Sequence, residues 1–372
     1  MIIESLRSSC VICDNKLEEV FQLKDMPVYM GHNVGSTELY SNMTFMKCVK
    51  CGTPQIKEIL NPELVYMTNH NKSIIGKTWI NHFNELSEFI KSHVLNKNVL
   101  EIGDPSYKVS SILSEVSKKW YIVEPNPDES IYPNNVELIK GYFNKDTNIN
   151  STIDVIFHSH LLEHLTSPSN YLDLFYDKLS DDGKLIFSVP NFEKLLENQQ
   201  PVNNILNFEH TYYFNLKSMS SFLKSHGFNV DDYYHYNDHS IFFICSKNKK
   251  VTDVHIFDNL EQDFFSSLNK FKIWVNNVNQ IINTKTNVYL YGCHISTQFV
   301  LNLGLVTDNI KYILDNSDVK QGNVLYGTKL ITVSPETILN DDEPIVIVNH
   351  MSIYSDEIKK QLLELNSNVK LL

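Results

Sequence analysis

The sequence predicts an α/β protein with a doubly wound, mainly parallel sheet at its centre, and three observations carry that prediction. Asn98–Ile102 is a short apolar strand, Gly103 turns the chain, and Val109, Ile112, Leu113 and Val116 then fall at helical spacing. Strand, glycine turn and helix form the mononucleotide-binding start of such a sheet. A second strand, Trp120-Tyr-Ile-Val-Glu-Pro125, ends in a carboxylate, where these folds hold the ribose hydroxyls of an adenosine ligand. Strands and helices then alternate through the middle of the chain.

At 372 residues the chain is too long for one hydrophobic core, so two or three domains are expected. Its 42% hydrophobic and 11% aromatic content suits filled cores and excludes a disordered chain. The formal net charge is -12 and no run of Lys and Arg forms a basic stripe, which argues against a nucleic-acid partner. Apolar runs fall far short of a membrane span, and no secretory pattern opens the chain. A soluble, cytoplasmic protein is the expectation.

Residues 1–75 are expected to form a zinc-binding domain and linker. Cys10-Val-Ile-Cys13 and Cys48-Val-Lys-Cys51 can each present two thiolates from a tight knuckle to one tetrahedral zinc, and Gly52 permits the turn that follows. The same cysteines could form two disulfides or be ordinary buried residues. The paired spacing, with no secretory signal, favours zinc. Four protein ligands leave no open position, so such a zinc is structural. Cys245 and Cys293 read as small buried apolar residues. Tyr66 and Ser73 are candidates to close over a ligand, or surface residues of a linker. A helix over 77–93 follows, with Trp79, Phe83, Leu86, Phe89 and Ile90 on one face.

Residues 76–250 are expected to hold the central sheet. Strands are predicted over 136–139 and 154–157, the latter running into the polar cluster His158, His160, Glu163 and His164. Ligands bind at the C-terminal edges of strands in such sheets, so this cluster marks the expected site. A helix over 170–179 is expected to end in a turn at Asp182-Gly183, before a strand over 184–190 that Pro190 stops. After a loop, Asn207-Phe-Glu209-His210-Thr-Tyr212 precedes a helix over 216–226 capped by Gly227. Residues 228–236 and 240–246 read as two antiparallel strands. In 251–372, a long helix over 261–282 leads to strand, Gly292 turn and helix, then a strand ending in Asp315, a Rossmann-like outline. One glycine and one aspartate are a weak basis for a second dinucleotide site.

The ordered stretches 99–103, 123–125, 154–157, 163–164, 183–190 and 210–214 resemble an S-adenosylmethionine-dependent class I methyltransferase with a seven-stranded sheet. A two-CxxC domain before it and a second α/β domain after it resemble the three-domain sugar C-methyltransferase family, over essentially the whole chain. In the C-terminal part, Tyr-Gly-x-x-x-Ser, Asp-Asn-x-x-x-Lys-Gln-Gly and Ser334-Pro-Glu336 carry the likeness. The resemblance implies S-adenosylmethionine as donor, a structural zinc on the four paired cysteines, a nucleotide-linked keto-deoxysugar as substrate, and a C-terminal domain that helps hold it. Catalytic residues are then His210 as base, Glu209 orienting it and His164 as partner of an enolate.

On the donor side Glu124 is assigned to the ribose, Gly103 to close backbone approach and Glu101 to support of the loop. Asp104 stands near the sulfonium or amino group, and His160 is a further donor-side candidate. Tyr66, Ser73 and Tyr212 are assigned to the substrate. Two positions depart from the family pattern. Asn207 stands where the family has a tyrosine, and the loop Asp104-Pro-Ser-Tyr107 lacks glycines, with Tyr107 bulky where the methionine end belongs. Transfer to a sugar oxygen or nitrogen, or a non-enzymatic sugar-nucleotide binder, are the alternatives.

Overall fold

The computed structural model describes residues 2–33, 35, 37–65, 77–104, 107–127, 132, 135–197, 207–251, 260–349 and 355–372. Asn98–Ile102 is buried at every residue, as befits a strand with neighbours on both edges and layers on both faces. It lies within a seven-stranded sheet ordered Phe228–Tyr236, Ser240–Lys247, Leu179–Pro190, Ile153–Ser159, Asn98–Ile102, Lys119–Glu124, Val136–Lys140. The last five are parallel, and Ser240–Lys247 enters antiparallel against Leu179–Pro190. This is the expected class I methyltransferase sheet, closed by its final hairpin.

One face is covered by the helix Lys77–Val94, which buries Leu86, Ile90 and Val94 against Val99, Trp120, Ile122, Val155 and Phe157. The expected helix after Gly103 is brief: Ser110–Leu113 continues as the tighter turn Ser114–Val116. Asp182 and Gly183 are a correction. They lie inside the strand Leu179–Pro190, where Leu179 pairs with Ile153 but Lys184 already pairs with Val155. The residues between them form an irregular bulge, so the turn signal is spent inside the strand.

Two small antiparallel sheets precede this domain: Leu17–Pro27, Tyr40–Cys48 and Pro54–Ile56 in one, Ile3–Leu6 with Glu58–Leu60 in the other. Beyond residue 260, the helix Leu260–Ile282 packs on a five-stranded parallel sheet ordered Thr332–Val333, Ile310–Leu314, Val288–Tyr291, Ile345–Ile347, Lys370–Leu371. The two end regions share a core, with Leu23, Met26, Met43 and Phe45 in one cluster with Phe271, Leu290 and Phe299. Gln298 fastens them: its Oε1 accepts from Gly31 N–H (3.1 Å), and its Nε2 donates to the carbonyls of Tyr29 (2.9 Å) and Tyr326 (3.0 Å). The Asp315 carboxylate accepts from the Ser317 amide and Lys320 Nζ of its own turn and from the Cys293 amide of the turn after Val288–Tyr291. Among the described residues no helix is long and apolar enough to cross a membrane.

Candidate active site

Four of the expected donor-side residues meet at the C-terminal edge of Asn98–Ile102 and Lys119–Glu124. Gly103 takes φ +81° and donates its N–H to Val123 O, a conformation that favours glycine. Glu101 is buried and accepts from the Trp120 indole (2.7 Å); burial, then the charge of Asp104, pushes its carboxyl well above the usual range. Asp104 closes its own loop, accepting from Ser110 Oγ (2.9 Å) and Lys108 N–H (3.1 Å), while its carbonyl accepts from Tyr132 OH (2.8 Å). These bonds tie Asp104 to Lys108, Ser110 and Tyr132. Tyr107 belongs to the same assembly: its ring meets Tyr132 edge-on and its hydroxyl lies 3.2 Å from Ser114 Oγ.

Glu124 is buried at its strand end, with Oε1 accepting from Asn126 N–H (2.8 Å). Burial, opposed by that bond, moves its carboxyl from 4.5 up to about 7. His160 adopts φ +50° and turns toward the final hairpin: Nδ1 lies 3.0 Å from Glu163 Oε1 and Nε2 2.9 Å from Ser240 Oγ.

The three residues expected to act on the substrate come together although 46 residues separate His164 from His210. Their rings meet at 4.8 Å, and Glu209 Oε2 lies 3.9 Å from His164 Nδ1. Burial, then the neighbouring His210, lowers His164 to about 3, so it is neutral at pH 7; burial raises the adjacent Glu163 to about 7. Asn207 organises the pair, its Oδ1 accepting from both the Glu209 and His210 amides at 2.9 Å. This is an asparagine turn, a role that the residue type itself announces.

The stretch after His210 is held on two sides. Ile56 N–H donates to Thr211 O (2.9 Å) and Tyr213 N–H to Pro54 O (3.0 Å), while Thr211 N–H donates to Glu163 O (3.2 Å). Tyr212 is a correction to the substrate-side assignment. It is 1% exposed and its hydroxyl donates to Leu162 O (2.6 Å), because a phenol this deep needs an acceptor. Tyr66 and Ser73 lie outside the described residues.

Cys10, Cys13, Cys48 and Cys51 converge, with Sγ–Sγ distances of 3.6 Å for Cys10–Cys51 and 3.4 Å for Cys13–Cys48. None is in a disulfide. Tetrahedral zinc at about 2.3 Å from each sulfur sets neighbouring sulfurs a little under 4 Å apart, so the cluster fits one ion. Amide donors point at the sulfurs as they do at thiolates: Ile12 N–H to Cys10 and Lys50 and Cys51 N–H to Cys48, all 3.4 Å, with Gln55 Nε2 3.3 Å from Cys10.

Residues 78–233 match the family described as a methyltransferase domain, and residues 246–369 the C-methyltransferase C-terminal domain. The chain is a methyltransferase by its domains. Solved structures similar to it include the 1,6-didemethyltoxoflavin-N1-methyltransferase of Burkholderia thailandensis with bound 1,6-didemethyltoxoflavin and S-adenosylhomocysteine. That match is 13% identical, covers 54% of this chain and 98% of that one, and has a TM-score of 0.42. The magnesium protoporphyrin IX methyltransferase of Synechocystis PCC 6803, with bound SAH, is 11% identical over 49% and 89%, TM-score 0.37. An S-adenosylmethionine-dependent methyltransferase of Mesorhizobium loti is 9% identical over 46% and 99%, TM-score 0.37. No curated protein matches this methyltransferase.

Replacing Tyr212 with phenylalanine removes one of the two bonds to the Leu162 carbonyl, which keeps the Leu165 N–H (3.1 Å). Tyr212→Phe is expected to lower stability by about 0.5–1.5 kcal/mol in urea unfolding, the net worth of one hydrogen bond, and an unchanged midpoint refutes the anchoring role.

Proposed function

We propose that this methyltransferase uses S-adenosylmethionine to methylate a carbon beside the ketone of a nucleotide-linked deoxysugar, in the cytoplasm, where the paired thiols stay reduced. The observation that carries the reading is the meeting of His164, Glu209 and His210 past the strand Ile153–Ser159, in the same sheet whose second strand ends in Glu124. The match of residues 246–369 to a C-methyltransferase C-terminal domain supports a carbon acceptor. In this reading residues 1–75 bind a structural zinc, 76–250 bind the donor and 251–372 assist the substrate.

The donor, when bound, supplies an electrophilic methyl group. Glu124 accepts its ribose hydroxyls, Gly103 admits close approach of the backbone, and Glu101, tied to Trp120, fixes the strand end behind both. His210 removes the proton alpha to the ketone. Glu209 orients it, and the neutral His164 donates a hydrogen bond to the oxygen where negative charge develops. One observation favours a second reading, transfer to a sugar oxygen or nitrogen: Asn207 stands in the place of the family's tyrosine.

Three measurements test this. Calorimetric titration with S-adenosylhomocysteine is expected to show Glu124→Ala binding weaker by about 1–3 kcal/mol. Because the folded carboxyl titrates near 7, raising the pH from 4.5 through 7 ionises a group that burial disfavours, so the free protein loses stability while gaining its acceptor. Affinity therefore rises from pH 6 to pH 8 in the native protein and stays flat in Glu124→Gln; equal profiles count against the assignment.

With keto-deoxysugar nucleotides in deuterated water, the enzyme exchanges the proton alpha to the ketone. His210→Ala slows both exchange and methyl transfer by about 10²–10⁴-fold. Methyl transfer that persists without exchange selects the oxygen or nitrogen acceptor. Cys48→Ser is expected to remove one equivalent of zinc, measured by metal analysis, and to lower the melting temperature. A protein that keeps both unchanged has no four-cysteine zinc.

A further inference from the structure

Three histidines from separate parts of the chain meet beside the candidate active site. His82 comes from the helix Lys77–Val94, His160 from the turn after Ile153–Ser159, and His239 from the turn that joins the final hairpin. Their ring centres stand 5.3, 5.5 and 5.6 Å apart, and the three pairs are tilted by 62°, 62° and 57°. That is a nearly equilateral triangle of rings with a common tilt. Imidazoles that merely fill space have no reason to adopt threefold geometry. Imidazoles on one ion do: tetrahedral angles and metal–nitrogen bonds of about 2.0–2.1 Å set ring centres roughly 5 Å apart. One nitrogen of each ring lies within 4.8 Å of the others.

Two further observations point to a ligand. His82 is fully buried; its Nε2 lies 3.3 Å from Ser159 Oγ, and its Nδ1 has no hydrogen-bond partner among the described residues. A buried polar atom left so is costly and calls for an explanation. A carboxyl group stands beside His160, Glu163 Oε1 3.0 Å from Nδ1 though off hydrogen-bond geometry, on the side from which carboxylates orient metal-binding histidines. Ser240 Oγ currently bridges the other two rings, 2.9 Å from His160 Nε2 and 2.5 Å from His239 Nδ1. Trp79 lies over the group, 4.6–5.2 Å from all three ring centres, and screens it from water.

We propose that His82, His160 and His239 bind one divalent transition-metal ion of the zinc and cobalt class, at a site separate from the four cysteines. The ion clamps the helix Lys77–Val94 and the final hairpin onto the turn that follows Ile153–Ser159. His160 is thereby assigned to this site and not to the donor. The role is structural, since the Trp79 ring packs against all three imidazoles.

The test uses the full chain with its cysteine site zinc-loaded. Added Co²⁺ is expected to bind at one equivalent, with the visible bands of nitrogen-ligated cobalt, no thiolate charge-transfer band, and a higher melting temperature. His82→Gln and His239→Gln each weaken binding at least tenfold while keeping the cysteine-bound zinc, which reports that they fold. Cys48→Ser keeps the cobalt bands. Absence of the bands at excess Co²⁺, or their survival in the His82→Gln/His239→Gln double variant, overturns the proposal and leaves three packed core histidines.

Discussion

The candidate active site depends on the clamp around residues 211–213. On one side the backbone extends the small N-terminal sheet, through Ile56 to Thr211, Tyr213 to Pro54 and a bridge between Gln55 and Tyr212. On the other it is bonded to the turn after the strand Ile153–Ser159, through Thr211 N–H to Glu163 O and Tyr212 OH to Leu162 O. Loops that position catalytic groups need such a scaffold, because their own backbone has few partners. Gln55 carries the connection further. Its side chain accepts from Val11 N–H and donates to Cys10 Sγ, so the four-cysteine cluster is two bonded steps from the loop that presents Glu209 and His210.

The charge balance of the site follows from burial more than from pairing. Glu124 and Glu163 are lifted to about 7, while His160 and His164 are lowered to about 3. Low-dielectric surroundings disfavour the charged form of each, which raises the acids and lowers the bases. The result is neutral imidazoles beside carboxyl groups that titrate in the physiological range, an arrangement suited to moving protons without strong fixed charge. The shared core of the two end regions adds a mechanical element. With Gln298 bonded across it, the N-terminal sheet that clamps the loop of Glu209 and His210 also rests on the C-terminal sheet.

Much of this was legible in the chain. Four strands of the central sheet, Asn98–Ile102, Lys119–Glu124, Val136–Lys140 and Leu179–Pro190, close on Gly103, Glu124, Gly141 and Pro190, and such punctuation is local. The paired CxxC spacing is local too, as is the helical face from Leu86 to Ile90. Where local signals competed, they misled. Asp182-Gly183 is a good turn sequence, yet the pairing of Leu179 with Ile153 before it and of Lys184 with Val155 and Ser246 after it left it as a bulge inside one strand. In the N-terminal sheet, register shifts near Glu19 and Leu23 erase the alternation by which strands are read.

Thus the sequence alone determined the class of sheet, the succession of its strands along the chain, the cysteine pairs and the two Glu-His pairs. Tertiary structure decided what each polar residue does. Tyr212 became a buried anchor, Asn207 the organiser of a turn, and His160 a neighbour of His82 and His239 across 78 and 79 residues of chain. Residue type and spacing report the periodicity of backbone hydrogen bonding, which is local. The partner of a side chain, and the water it loses on burial, are set by segments distant in the chain that only folding brings together.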